Sequence, residues 1–257
     1  MIFHSHRNVK KRAERTQENP SRVLWNGWRR KWLALKEGEG SVEQLKYYQE
    51  ILGGFMPCPP GDQKTCRFTL HQFTVTNGQY ELFEPFHERA EKVSDDSDQP
   101  VVNVSFWDSY CCAVWMGYRL PTSEEWEFAC RAGSTAEYSF GNGRMNNGTQ
   151  ANCDGIYPDQ SDQYGPYLRR TVSLAEVALE FEGCKIRYEA NAWGLWHMHG
   201  NVWEWCNTKY DNDRYIVRGG SWGDGAGSCR GSHRFRYVSG FRTVYFGFRL
   251  ASCLDFG

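Results

Sequence analysis

The chain of 257 residues lacks an excess of charge of either sign: 30 Lys and Arg stand against 31 Asp and Glu, for a net charge of −1. A general basic footprint for nucleic acid is thereby excluded, and there is no acidic tail. No apolar run approaches the ~20 residues that a transmembrane segment needs. The opening stretch, Met1 to Thr16, is basic and polar, without the apolar core of a secretory leader. These absences predict a cytoplasmic protein, or one delivered to a phage or cell surface without such a leader, with the cytoplasm preferred. No two of the ten cysteines have Cys-x-x-Cys spacing. In that compartment they are expected to be reduced and mostly buried thiols. Cys58 and Cys66 bracket a Pro-Pro-Gly turn near His71, but the spacing is poor for zinc. What the chain has in quantity is glycine, 26 residues, and aromatics, with 11 Trp, 14 Tyr and 15 Phe. That pairing predicts an irregular, loop-rich fold around a real core, and excludes a helical bundle.

Residues 1 to about 20 offer little to bury and read as disordered. Val23, Leu24, Trp25, Trp28, Trp32, Leu33 and Leu35 then follow helical spacing, with Arg29, Arg30 and Lys31 opposite. The tryptophans are expected to pack onto the chain's own domain. A second helix starts at the Ser41/Gln44 capping box and carries Leu45, Tyr48 and Leu52. Thr69 to Thr76 alternates as a strand, and Asn77 is expected to cap a short helix through Tyr80, Leu82 and Phe83. Val101 to Val104 reads as a strand. Ser105 caps a helix that ends at Gly117. Thr122 and Glu125 form a capping box for a helix to Arg131, with Gly133 beyond its end. Residues 134–190 show few periodic features and are too long for an idle loop. Tyr215 to Val217 and Phe246 to Ala251 read as strands. Together these predict an α+β chain with an N-terminal extension over residues 1–64 and a main domain over residues 65–257.

Four segments occur in a telling order: Pro100-Val101-Val102-Asn103-Val104-Ser105; Arg119-Leu120-Pro121-Thr122-Ser123-Glu124-Glu125-Trp126-Glu127; Gly200-Asn201-Val202-Trp203-Glu204-Trp205; and Arg218-Gly219-Gly220-Ser221-Trp222, followed by Gly247-Phe248-Arg249. With Val75-Thr76-Asn77 and Tyr80 upstream, this series resembles the formylglycine-generating enzyme (sulfatase-modifying factor) superfamily. The resemblance implies a large C-type-lectin-like domain: a small twisted antiparallel sheet, two main helices and much ordered loop. The same residues make sense as scaffold. Gly200, Gly219, Gly220 and Gly247 suit close backbone approach, and Trp203, Trp205 and Trp222 bury large areas. Arg218 and Arg249 are expected to bond carbonyls or carboxylates such as Glu204.

The enzymes of that superfamily bind copper through two cysteines five residues apart after the Gly-Gly-Ser-aromatic turn. Here the second position is Cys229 and the first is Asp224, so the resemblance implies no such copper centre and no cofactor. A calcium site would use Glu204 and the carbonyls of Gly200 and Val202. It is weakened by His197, because a neutral imidazole suits a hard cation poorly. His197 and His199 are expected to be one packed and one solvated histidine.

The stretch from Gly223 to Phe246 has no Lys, Glu, Gln, Met or Trp, although these make up about one residue in five of the chain. They are residues that a codon ending in a pyrimidine cannot encode. Gly, Ser, Tyr, Phe, Arg and His dominate instead, the chemistry of rigid aromatic anchors with adaptable polar groups. More narrowly, then, the chain resembles the variable protein of a diversity-generating retroelement. That resemblance implies a non-enzymatic protein presenting a hypervariable face to a protein or glycan ligand, with no nucleic-acid partner and with a monomeric state allowed. The implied contact residues are Asp224, Ser228, His233, Phe235, Arg236, Tyr237, Phe241, Thr243, Val244 and Tyr245. Arg218, Trp222, Arg230, Arg234, Arg242 and Arg249 would be framework, with Arg230, Arg234 and Arg242 bonding inward. The alternative is an oxidase acting on a protein or peptide thiol through Cys229. A third reading is an intracellular accessory domain that docks through its first 60 residues.

Overall fold

The structure is a computed structural model that describes residues 54–58, 68–140, 145, 149–157, 164–173 and 176–253. The disorder expected over residues 1–20, the two helices expected over residues 23–52, and Cys66 lie outside the described residues. No helix among the described residues is long and apolar enough to cross a membrane.

In chain order the elements are β1 (Phe55–Cys58), β2 (Phe68–His71), α1 (Asn77–Phe83), α2 (Phe106–Trp115), α3 (Ser123–Arg131), β3 (Ala178–Phe181), β4 (Cys184–Arg187), β5 (Trp203–Lys209), β6 (Arg214–Arg218), a 3-10 turn (Ala226–Cys229), β7 (Arg234–Val238), β8 (Phe246–Gly247) and β9 (Ala251–Cys253). They form three sheets, ordered β1-β2-β9, β3-β4 and β7-β6-β5-β8. All pairings are antiparallel except β5 with β8. Strand β1 lies ahead of the expected boundary at residue 64, yet pairs along its whole length with β2.

The helix starts follow the capping chemistry. Ser105 with Asp108 and Thr122 with Glu125 are reciprocal capping boxes at α2 and α3. At α1 the cap is Thr76 rather than Asn77. Thr76 Oγ1 accepts from the Gln79 amide while Gln79 Oε1 accepts from the Thr76 amide. The Asn77 side chain instead donates to the carbonyls of Ser94 and Asp96. Beyond α3, Ala132 enters the left-handed region ahead of Gly133.

Three strand expectations are corrected. The strand expected over Thr69 to Thr76 ends at His71, because the carbonyls of His71 and Gln72 both turn to the Arg249 guanidinium. Val101 to Val104 is not a strand: Asn103 takes a left-handed turn at φ 59°. Phe246 to Ala251 divides into β8 and β9, which belong to different sheets, with Arg249 at the crossing. The stretch read as irregular also contains a hairpin, β3–β4. Its turn residues Glu182 and Gly183 have φ 50° and 79°, the two positive values of a type I′ turn.

The four-stranded sheet has a core on each face, as the period-two alternation of strands requires. Trp205, Val217 and Phe246 face α2 through Phe106 and Cys112. Cys206 and Ile216 face α3 through Trp126 and Ala129. Between the layers lies a fully buried ion pair. Arg249 Nη2 donates to Glu204 Oε1 at 2.9 Å and Nε to Oε2 at 3.1 Å. The Trp126 indole N–H donates to the same Oε2 at 2.6 Å. The remaining guanidinium hydrogens go to the carbonyls of His71, Gln72 and Trp196. Glu204→Gln leaves a buried cation without its counter-charge. It is expected to cost about 3–5 kcal/mol in a urea titration; a loss under about 1 kcal/mol would show that the pair is not holding the layers together.

Candidate binding surface

Segment 223–246 rises from the Gly219-Gly220 turn, crosses the 3-10 turn, forms edge strand β7 and returns through β8. Gly220 has φ 74°, and a Cβ there would lie 2.6 Å from Cys229 Sγ, so only glycine fits. The backbone of the segment is fixed largely by donors outside it. Arg218, itself buried, spreads one nitrogen over the carbonyls of Gly231, Ser232 and His233, and anchors its others on Ser123 and Glu127. The backbone amides of Asn103, Phe106 and Trp203 donate to the carbonyls of Thr243, Ser239 and Tyr245. The Trp222 indole donates to the carbonyl of Val244. Arg242 holds Asp108, the capping carboxylate of α2, at 2.6 Å, and Arg230 approaches Glu137 at 3.4 Å.

The side chains divide into an open face and a supporting one. Phe235, Phe241 and Tyr245 are 47%, 40% and 36% exposed. Tyr237 is half-buried. It stacks on Phe241 at 5.0 Å between ring centres and meets the buried Phe246 edge-on at 4.8 Å. Phe235 lies 5.4 Å from Tyr237, and His233 bridges Phe235 to Trp203. This makes a continuous ladder His233–Phe235–Tyr237–Phe241. Tyr245 belongs to a second group, with Trp222 and Tyr167. On the opposite face of β7 the Arg236 guanidinium sits 4.5 Å from the Tyr210 ring. Ser228, Thr243 and Val244 are half-buried.

Two residues differ from expectation. Asp224 is held by the scaffold: one carboxylate oxygen accepts from the Trp203 indole at 2.8 Å, the Ser221 amide at 3.1 Å and the Ser221 hydroxyl. Arg234, expected to bond inward, is exposed on β7 and makes no hydrogen bond or ion pair among the described residues. The sequence reading also passed over Tyr210, Tyr157 and Tyr167. Each borders the surface from a loop outside the segment, and Tyr210 and Tyr157 are well exposed. Only their loop setting, as in Tyr-Asp-Asn-Asp between β5 and β6, hints at exposure.

The model of the sulfatase-modifying factor enzyme 1-like domain matches residues 29–254. The chain belongs to this family. Over 124 residues it is 37% identical to the formylglycine-generating enzyme of Mycobacterium tuberculosis, covering 48% of this chain and 38% of that one. Over 144 residues it is 34% identical to the inactive Cα-formylglycine-generating enzyme 2 of Bos taurus, covering 54% of this chain and 44% of that one. The matched region thus spans about two-fifths of the length of these relatives. Among solved structures, variable protein 1 of Treponema denticola superposes with a TM-score of 0.54 at 18% identity, over 74% of this chain and 85% of that one. The fold is therefore the α+β, C-type-lectin-like fold of this family. Membership leaves catalysis open, since the relatives include enzymes and a protein named as inactive.

The sites that sulfatase-modifying relatives imply can be tested on this chain's own residues. At the copper position, Cys229 is not a lone thiol. Its thiol donates to the carbonyl of Gly225 at 3.8 Å; the neighbouring Cys153 thiol, with burial, drives its pKa well up, and Cys153 Sγ lies 3.4 Å from Met145 Sδ. At the calcium position both Glu204 oxygens are already occupied by Arg249 and Trp126, and the donor set does not fit a hard cation. No group of three His, Cys, Asp or Glu suited to a metal occurs among the described residues. His197 and His199 are both buried, not one packed and one solvated. The His199 ring spans Cys229 O at 2.7 Å and the Ser139 hydroxyl at 2.9 Å.

Burial pushes His71, His197 and His199 each down to about 4. Unfolded, each takes its proton near 6.5. Between those values the unfolded chain binds more protons than the fold. Stability is thus complete above pH 6.5 and falls as the pH drops toward 4, at up to about 1.4 kcal/mol per pH unit for each ring. Urea midpoints from pH 7 to pH 4.5 should decline steeply; a flat profile would contradict this placement.

Proposed function

We propose that the chain is a non-enzymatic binding protein whose segment 223–246 is a hypervariable display surface of the diversity-generating retroelement type, directed at a protein or glycan ligand. One observation carries the reading. The segment's backbone is held largely by donors outside it, Arg218, Trp222 and the amides of Asn103, Phe106 and Trp203, while Phe235, Phe241 and Tyr245 stand open to water. Such a surface can change its side chains without changing its shape. An apolar cluster left exposed on a monomer is ordinarily a binding site, and Phe and Tyr are the residues that fill a partner's pockets. The composition of the segment supports the same reading.

The variable residues are then Ser228, His233, Phe235, Arg236, Tyr237, Phe241, Thr243, Val244 and Tyr245, with Asp224 counted as scaffold. The triple change Phe235→Ser, Phe241→Ser, Tyr245→Asp should stay within about 1 kcal/mol of the parent in chemical denaturation. Trp205→Ala should cost about 3–5 kcal/mol. Tyr237 is left out because it leans on Phe246. Equal losses in the two variants would refute the display reading. Sequencing the DNA beside the gene tests the finer reading. A near-copy of the codons for residues 223–246, richer in adenine and next to a reverse transcriptase gene, is expected; its absence would reduce the segment to an ordinary family loop.

A second reading, an oxidase acting on a protein or peptide thiol, draws on the contact of Cys229 with Cys153 and on the nearby Met145 thioether, a soft donor set. Against it stands Asp224 in place of the family's first cysteine. Protein made in copper-supplemented medium should carry no stoichiometric copper. One copper per chain, lost in Cys229→Ser, would favour the oxidase.

A further inference from the structure

The four-stranded sheet ends at β7, and the outer edge of β7 is uncovered among the described residues. The Ser239 amide donates to the carbonyl of Asp213 across the β6–β7 pair. Antiparallel ladders alternate, so Tyr237 and Phe235 also bond inward to β6, and the amides and carbonyls of Arg234 and Arg236 point outward. Val238 shares this outward set, its carbonyl accepting from the Phe241 amide. The guanidiniums of Arg234 and Arg236 both lack a carboxylate partner among the described residues. Their side chains share one face, about 7 Å apart. Arg236 is held in place over Tyr210. Phe235 and Tyr237 occupy the other face.

We propose that this edge takes an extended polypeptide as a fifth strand, one that alternates acidic and apolar side chains. Its acidic residues lie directly opposite Arg234 and Arg236, where cross-strand partners meet. Its apolar residues meet Phe235 and Tyr237 on the opposite face. Main-chain bonds supply affinity and the alternating side chains supply choice. Charge selects against the other occupants. A second copy of β7 paired about a two-fold axis through Phe235 or Arg236 would set arginine against arginine. The chain's first 53 residues carry eleven Lys and Arg against six acidic residues, the same sign as the edge. The inference rests on the display reading, because β7 lies within that surface and Arg236 is one of its variable positions; the outward backbone groups are the part of the edge that no displayed side chain changes.

The test uses the whole chain and a synthetic ten-residue peptide alternating Glu with Val or Tyr. Its Lys-for-Glu counterpart and a copy N-methylated at alternate amides serve as controls. Amide hydrogen exchange should show the Arg234 and Arg236 amides newly protected by the Glu peptide, with Phe235 and Tyr237 already protected without it. The Lys and N-methylated peptides should bind at least tenfold more weakly. The double variant Arg234→Glu, Arg236→Glu should reverse the preference toward the Lys peptide. Absence of binding, or binding without protection of those two amides, overturns the proposal. So does protection of those amides in the protein alone, which would assign the edge to a second copy or to the chain's own N-terminal residues. The display reading fails separately, through the stability of the triple aromatic variant, which leaves the outward backbone groups and both guanidiniums of this edge in place.

Discussion

A single buried ion pair sets the terms for the rest of the molecule. Glu204 and Arg249 have essentially no solvent exposure, and a charge removed from water must recover several kcal/mol from its surroundings. Here the recovery is complete in number. Glu204 accepts from Arg249 and from the Trp126 indole, and Arg249 reaches carbonyls of three further residues. Those partners come from β5, α3, the end of β2 and the loop before Gly200. Where the described strands are two to seven residues long, sheet ladders cannot order the loops between them. Side-chain bonds to loop carbonyls take over that task, and a guanidinium, with five donors in a fixed plane, suits it best.

Arg218 repeats the device one step closer to the surface. It is anchored by Glu127 and Ser123 and spreads over three successive carbonyls at the foot of segment 223–246. The two arginines form a hierarchy: one ties sheet to helix and loop, the other ties the outer segment to that assembly. Asp224 completes it from the opposite side by joining the Trp203 indole to the Ser221 turn. Asp224 is thus a structural carboxylate of the turn that starts segment 223–246.

Much of this was legible in the sequence because it rests on local chemistry. Capping boxes at Ser105 and Thr122 announce α2 and α3, since both partners lie within four residues. The role of Arg249 was legible as a requirement: a buried cation after Gly247-Phe248 needs a carboxylate, and Glu204 was at hand. What escaped depended on distant partners. Strand β7 carries Arg-Phe-Arg-Tyr-Val, which reads as strand only once β6 is known to lie beside it. The early end of β2 comes from Arg249, far along the chain. Cys153 gave no sign of Cys229, because no spacing rule joins two thiols brought together by folding. Arg234 was misplaced for a related reason. Four arginines recur through the segment, and sequence alone does not distinguish those that reach Glu137 or Asp108 from those that face water.

That last distinction explains how an aromatic edge strand can remain open. Exposed strands rich in Phe and Tyr tend to pair with their own copies, and natural sheets resist this with charge at the edge. Arg234 and Arg236 occupy the positions whose main-chain groups point outward, so any strand that joins β7 must first face two cations. The ladder His233–Phe235–Tyr237–Phe241 lies on the other side of the strand, where it offers contact area without offering hydrogen bonds. Outward main-chain groups and the exposed aromatic ladder thereby lie on different sides of five residues. Arg234 and Arg236 set like charge against a second copy of the strand, while the aromatic ladder keeps to the face turned away from them, so contact area and edge protection do not compete for the same positions.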